Sequence, residues 1–107
     1  MYMMANKKMI DWKQVTGFDW DSGDERKSEK KHAVSRFEAE QVLFNQPLLV
    51  LADQKHSQNE ARYHALGISN EARLLHITFT LRSDDTLIRI ISARDMHRKE
   101  RNIYEQS

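Results

Sequence analysis

Residues 73–94, RLLHITFTLRSDDTLIRIISAR, decide the fold. In the first half the odd positions Leu75, Ile77, Phe79 and Leu81 are apolar, and the even positions His76, Thr78, Thr80 and Arg82 are polar. That is the period of two a strand imposes on a sheet with one buried face. Ser83, Asp84 and Asp85 are turn formers, so the chain is expected to return as a hairpin into TLIRIISAR. The second face of such a hairpin is left to meet solvent or a ligand.

Two further strands precede this hairpin. LLVLAD (48–53) is a continuous apolar run, and ARYHALGIS (61–69) is a second candidate. GFDWD (17–21) alternates Phe18 and Trp20 with Asp19 and Asp21, a short strand signal. Between it and the sheet lie two candidate helices. Ser22 with Glu25 forms a capping-box pattern that opens a polar helix across DERKSEKKH (24–32). Ser35 with Glu38 opens a second across RFEAEQVLFNQ (36–46), where Phe37, Ala39, Val42 and Leu43 supply an apolar stripe and Pro47 marks the exit. DMHRKERNIYEQS (95–107) reads as a last helix with Met96, Ile103 and Tyr104 facing inward. The order predicts an α+β domain, a largely antiparallel sheet of about four or five strands with two N-terminal helices and one C-terminal helix. The helices are expected on one face of the sheet. Residues 1–16 read as an N-terminal extension that packs through Ile10, Trp12 and Val15, ahead of a single domain over 17–107.

At 107 residues the chain can bury one modest core. It has no cysteine, which excludes a disulfide scaffold and a thiolate metal site. The start, MYMMANKKMI, makes a poor signal peptide and no window is long enough to span a bilayer, so no membrane role and a cytoplasmic location are expected. Net charge is only +1, so a nucleic-acid reading has to rest on where the cations stand. After Lys55 every basic residue but Lys99 is arginine, the side chain suited to planar, bidentate recognition of phosphate or carboxylate.

Arg82 stands beside Thr78, Thr80 and His76 on the polar face, next to a strand carrying Arg62 and His64. Together these form a candidate cationic floor for a phosphodiester. Strict alternation puts Arg89 and Arg94 on opposite faces of the last strand. If a helix instead begins after Ser92, Arg94, Arg98 and Arg101 share one helical face. Pairing of Arg98 and Arg101 with Asp95, Glu100 or Glu105 is the bland alternative. The five histidines lack metal-ligand spacing, so no metal and no cofactor are expected. His56, in the polar loop DQKHSQNE, and His32 are the better candidates for proton transfer. No GxSxG, P-loop or Rossmann glycine pattern is present.

These residues resemble the BrnT toxins of bacterial type II toxin–antitoxin systems, which look like distant relatives of RelE-type ribonucleases. The resemblance runs from about Phe18 to Glu105. It is carried by FDWD (18–21), KHAVS (31–35) with Glu38 and Ala39, DQKHSQNEARYHALGIS (53–69), RLL (73–75) and above all IRIISARDMHRKERNIYE (88–105). It implies a RelE-like toxin that cleaves RNA and slows translation, held inactive by a BrnA-type ribbon-helix-helix antitoxin; the cleavage expected is a metal-independent attack by the RNA 2′-hydroxyl. Operator DNA would be met only through that antitoxin, and a homodimer is left open. For such a cleavage the residues themselves, not the resemblance, make Arg62 and Arg82 candidates for stabilising the phosphate. His56, then His32 with Lys31, then Tyr104 are candidates for proton transfer, and Lys31, Arg94 and Arg98 for holding RNA. The competing class is a non-catalytic module that acts only by docking to its antitoxin in a DNA-binding repressor. The sequence departs from the family pattern at Ser28, usually Asn, and at Ala33, usually Gly. A glycine there would suit a left-handed helix C-terminus, so Ala33 either costs stability or signals a different helix exit.

Overall fold

The alternation of residues 74–82 becomes the centre of a five-stranded sheet in the structure, a computed structural model that describes residues 10–20, 30–53, 55 and 60–107. In chain order the elements are β1 (Gly17–Phe18), α1 (Arg36–Phe44), β2 (Leu49–Ala52), β3 (Arg62–Ile68), β4 (Leu74–Arg82), β5 (Leu87–Asp95) and α2 (Arg98–Glu105). The strands lie in the order β1-β5-β4-β3-β2. Every neighbouring pair is antiparallel except β1 with β5, which is parallel. The expected α+β architecture is therefore present. Of the polar first helix expected over 24–32, only residues 30–32 are described, and they are helical; the rest lies outside the described residues.

One face of the sheet carries Val50, Tyr63, Ala65, Leu75, Ile77, Phe79, Ile88, Ile90 and Ala93, packed with Ala39, Val42 and Leu43 of α1. Ile10 joins this cluster and Val15 packs against it. Phe79 and Ile77 are fully buried, and truncation of such a phenylalanine costs about 3–5 kcal/mol. Gly67 is what lets α1 approach: a Cβ there would stand 2.7 Å from Val42 Cγ1. Ser35 caps α1 as expected, its Oγ accepting from Glu38 N at 3.1 Å. Glu38 does not reach back to complete the box. Its carboxylate instead accepts from Arg73 and from the Ser69 hydroxyl. Phe37 does not join the apolar stripe but is 70% exposed, because the sheet is met by Ala39, Val42 and Leu43 on the next faces of the helix.

The expectation that the helices share one face is corrected. The second face is not polar along its whole length: Leu49, Leu66 and Leu74 stand at one end of it, and Met96, Ile103 and Tyr104 cover them. Thus α2 lies on the side opposite α1. Nor does a helix begin after Ser92, since β5 continues to Asp95 and Arg94 is a strand residue.

Arg73, just before β4, ties four segments together. Its Nε donates to Asp95 Oδ1 at 2.8 Å, its Nη1 to Ala33 O at 2.8 Å and Glu38 Oε1 at 3.2 Å, and its Nη2 to His32 O at 3.0 Å. Ala33 has φ 53°, the left-handed conformation that favours glycine. The helix exit is thus the one a glycine would make, and Ala33 carries its steric cost.

Candidate active site

Cross-strand register determines which side chains share the second face, because residues directly opposite in an antiparallel pair point the same way. On that face β3 contributes Arg62, His64 and Leu66, and β4 places Thr80, Thr78 and His76 opposite them. The partners of Thr78 and Phe79 on β5 are Ser92 and Ile90, so Ile91 is skipped as a β-bulge. Below the bulge Thr80 pairs with Arg89 and Arg82 with Leu87, and above it His76 pairs with Arg94. The extra residue restores the phase. Arg89 and Arg94 consequently lie on the same face, correcting the expectation drawn from strict alternation.

Rows on this face are two residues apart, about 7 Å along the strands. The row of Thr80 holds Arg62 and Arg89, and Arg82 stands one row beyond it. Arg82 Nη2 donates to Glu60 Oε1 at 3.2 Å, while its buried Nε has no hydrogen-bond partner among the described residues. The row of Thr78 holds His64. The imidazole bonds Asp53 Oδ2 through Nε2 at 2.7 Å and Thr78 Oγ1 through Nδ1 at 3.0 Å. With Nε2–H donating to the carboxylate, Nδ1 presents a lone pair that the threonine hydroxyl occupies. Asp53 holds the ring in that tautomer and orientation, as a carboxylate does for a catalytic histidine.

Closer to α2 the chemistry is of another kind. Arg94 forks onto Glu100, Nη1 to Oε1 at 2.8 Å and Nη2 to Oε2 at 3.0 Å, and His97 N donates to the same carboxylate at 2.9 Å. Burial alone would raise the pKa of Glu100, but these donors bring it down to about 2. His76 is 8% exposed, and burial, with Arg94 beside it, lowers its pKa to about 4. It is neutral near pH 7.

The candidate residues are thus partly gathered and partly dispersed. Arg62 and Arg82 share the open face as expected. Arg94 shares that face but is held by Glu100 near α2, and Arg98 is exposed at the first turn of α2. His32 and Lys31 are not brought to Arg82. They lie by Arg73, at the start of β4, whereas Arg82 ends a strand about 27 Å long. Tyr104 is buried with its hydroxyl donating to Pro47 O at 2.7 Å, and burial raises its pKa. It therefore fastens α2 to the loop before β2 rather than facing the arginines. His56 lies outside the described residues. Sequence reasoning noted His64 on the floor but did not single it out for proton transfer, because Asp53 becomes its partner only through the β2–β3 pairing. The doublet Ile90-Ile91, which interrupts the alternation, was the signal for the bulge and hence for Arg89. Among the described residues no three His, Asp or Glu side chains are placed to share a metal ion.

A sequence model of the ribonuclease toxin, BrnT, of type II toxin–antitoxin systems matches residues 20–100. This chain belongs to the BrnT family. Membership of a type II toxin family implies an antitoxin partner, and ribonuclease is the activity the family is named for. The crystal structure of the Brucella abortus ribonuclease toxin, BrnT, is similar in fold, with a TM-score of 0.60 and 19% identity, over 78% of this chain and 100% of that one. No curated protein matches the chain in sequence. Within the BrnT match fall every strand from β2 to β5 and the acid–histidine–threonine chain of Asp53, His64 and Thr78.

Proposed function

We propose that this BrnT-family chain is an endoribonuclease toxin that cleaves RNA by attack of the 2′-hydroxyl on the adjacent phosphorus, without a metal, and thereby inhibits translation. The observation that carries the reading is the open sheet face, where Arg62, Arg82 and Arg89 stand within two rows of a histidine oriented by a carboxylate. The arginines supply the positive charge that a crowded phosphorane needs, the role a metal ion would otherwise take. A 2′-hydroxyl that takes the place of Thr78 Oγ1 at His64 Nδ1 would lose its proton to the ring. The 2′-oxygen then bonds to phosphorus, the bond from phosphorus to the 5′-oxygen breaks, and a 2′,3′-cyclic phosphate is left. The departing 5′-oxygen takes a proton from solvent or from His56, the sequence candidate in the loop between β2 and β3.

In the same reading a BrnA-type ribbon-helix-helix antitoxin neutralises the toxin by covering this face, and operator DNA is met by the antitoxin. Lys31, His32 and Arg98 then belong to the RNA or antitoxin surface and not to the reacting centre.

The test is cleavage of RNA by the purified chain in excess EDTA, with analysis of the cut ends. Cyclic phosphate ends, a fall of about 100-fold or more for Arg82→Ala and a similar fall for His64→Ala are expected, with both variants folded. Cleavage that stops in EDTA would overturn the metal-free step. A folded chain that binds antitoxin but cleaves neither free nor ribosome-bound RNA would favour the pure docking module.

A further inference from the structure

Between α2 and the sheet lies a cleft of about 210 Å³, lined by Leu51, His64, Leu66, His76, Glu100 and Ile103 among others. It would hold about seven waters, the space of one small planar ring system. We propose that this cleft receives one unpaired base of the RNA next to the scissile phosphate, and prefers bases with an exocyclic amine (adenine, cytosine or guanine) over uracil. The inference rests on the ribonuclease reading and deepens it.

Three features argue for a base. The imidazoles of His64 and His76 lie 5.0 Å apart at 37°, and between the leucines and Ile103 they form an aromatic and aliphatic slot suited to the face of a base. At the rim stands the Glu100 carboxylate, fixed by Arg94 and the His97 amide and able only to accept hydrogen bonds. An exocyclic amine donates to such a group, whereas the carbonyls of uracil would repel it. Finally, the cleft is continuous with the arginine floor through His64, which lines the one and lies one row, about 7 Å, from Arg62 on the other. A phosphate on the arginines thus leaves its neighbouring base within reach of the slot. An aliphatic side chain from a protein partner would fit the walls but would offer no donor to the remaining lone pairs of the Glu100 carboxylate.

The test uses short 2′-O-methyl RNAs, which cannot be cleaved, with adenine, cytosine, guanine, uracil or an abasic residue at one position, titrated against the full chain. Loss of the base is expected to weaken binding about tenfold, and uracil to bind less tightly than the other three. Ile103→Trp, which fills the slot, should bind the intact and abasic RNAs alike. Leu51→Ala, at a site 43% exposed and so harmless to folding, should shrink the difference independently. Equal binding of intact and abasic RNA by the natural protein, or a base effect undiminished in both variants, would overturn the inference. Cleavage of unmethylated RNA is measured alongside. Cleavage with base-independent binding sinks the slot and leaves the ribonuclease, whereas base-dependent binding without cleavage does the reverse. Base-independent RNA binding together with weakened antitoxin binding by Ile103→Trp would make the cleft a protein-docking groove and overturn the proposal.

Discussion

Acid should loosen this protein through one histidine. His76 is buried on β4 between Arg94 of β5 and Glu100 of α2, with the His64 ring beside it from β3. Burial, Arg94 and His64 oppose its proton, and Glu100 favours it; the balance lowers its pKa from 6.5 to about 4. Between those values the unfolded chain binds a proton that the folded chain refuses. Stability is therefore full above the unfolded value and falls as the pH drops from about 6.5 toward 4. From about pH 7.5 to about pH 4.5 the loss from this group alone comes to about 2.5 kcal/mol. Urea unfolding followed by tryptophan fluorescence over that range measures it, with His76→Gln as the comparison. Carboxylates such as Asp95 titrate in both proteins and cancel in the difference. His76→Gln should lose about 2.5 kcal/mol less than the natural sequence on acidification. Parallel stability curves for the two proteins would refute the reasoning, and a natural protein that gained stability in acid would mean that Glu100 holds His76 protonated.

Three other perturbations test the scaffold, each by the same unfolding assay. Arg73→Ala strands the carboxylates of Glu38 and Asp95 and two main-chain carbonyls, and should cost about 2–3 kcal/mol; a change under about 0.5 kcal/mol would deny that Arg73 holds these segments together. Ala33→Gly should stabilise the protein by about 1 kcal/mol by relieving the left-handed alanine, and a loss of stability would contradict the φ of 53°. Gly67→Ala should destabilise by about 1–3 kcal/mol, since its Cβ would press on Val42 Cγ1 at 2.7 Å and on Val42 O at 3.3 Å.

Much of the architecture was legible because it rests on short-range patterns. Alternation along β4, the apolar run of β2, the Ser35 cap and the turn at Ser83–Asp85 are properties of neighbours in the chain, and each appears where the residues place it. What escaped the sequence depends on residues far apart. Leu49, Leu66 and Leu74 read as parts of three separate strands, and only the register makes them one apolar patch that draws α2 to the second face. His64 looked like one histidine among five until the β2–β3 pairing gave it Asp53. Arg73 looked like one arginine of nine, yet its partners are separated from it by 22 to 41 positions in the chain.

The skipped Ile91 makes the assembly of the cationic face a question of parity. Arg89 and Arg94 are five positions apart, an odd interval that a regular strand would split between its two sides. A substitution at Ile91 leaves the count intact, and deletion of that one residue would make the interval even, so that a regular strand without the bulge would still hold both arginines on this side. Only ironing out the bulge with Ile91 retained would turn the first half of β5 over, driving Arg89 toward the core and Ile88 and Ile90 toward solvent. In this strand an odd spacing requires a bulge and an even spacing requires its absence. Relatives of such a protein are better compared by the spacing between their arginines than by the residues that fill it.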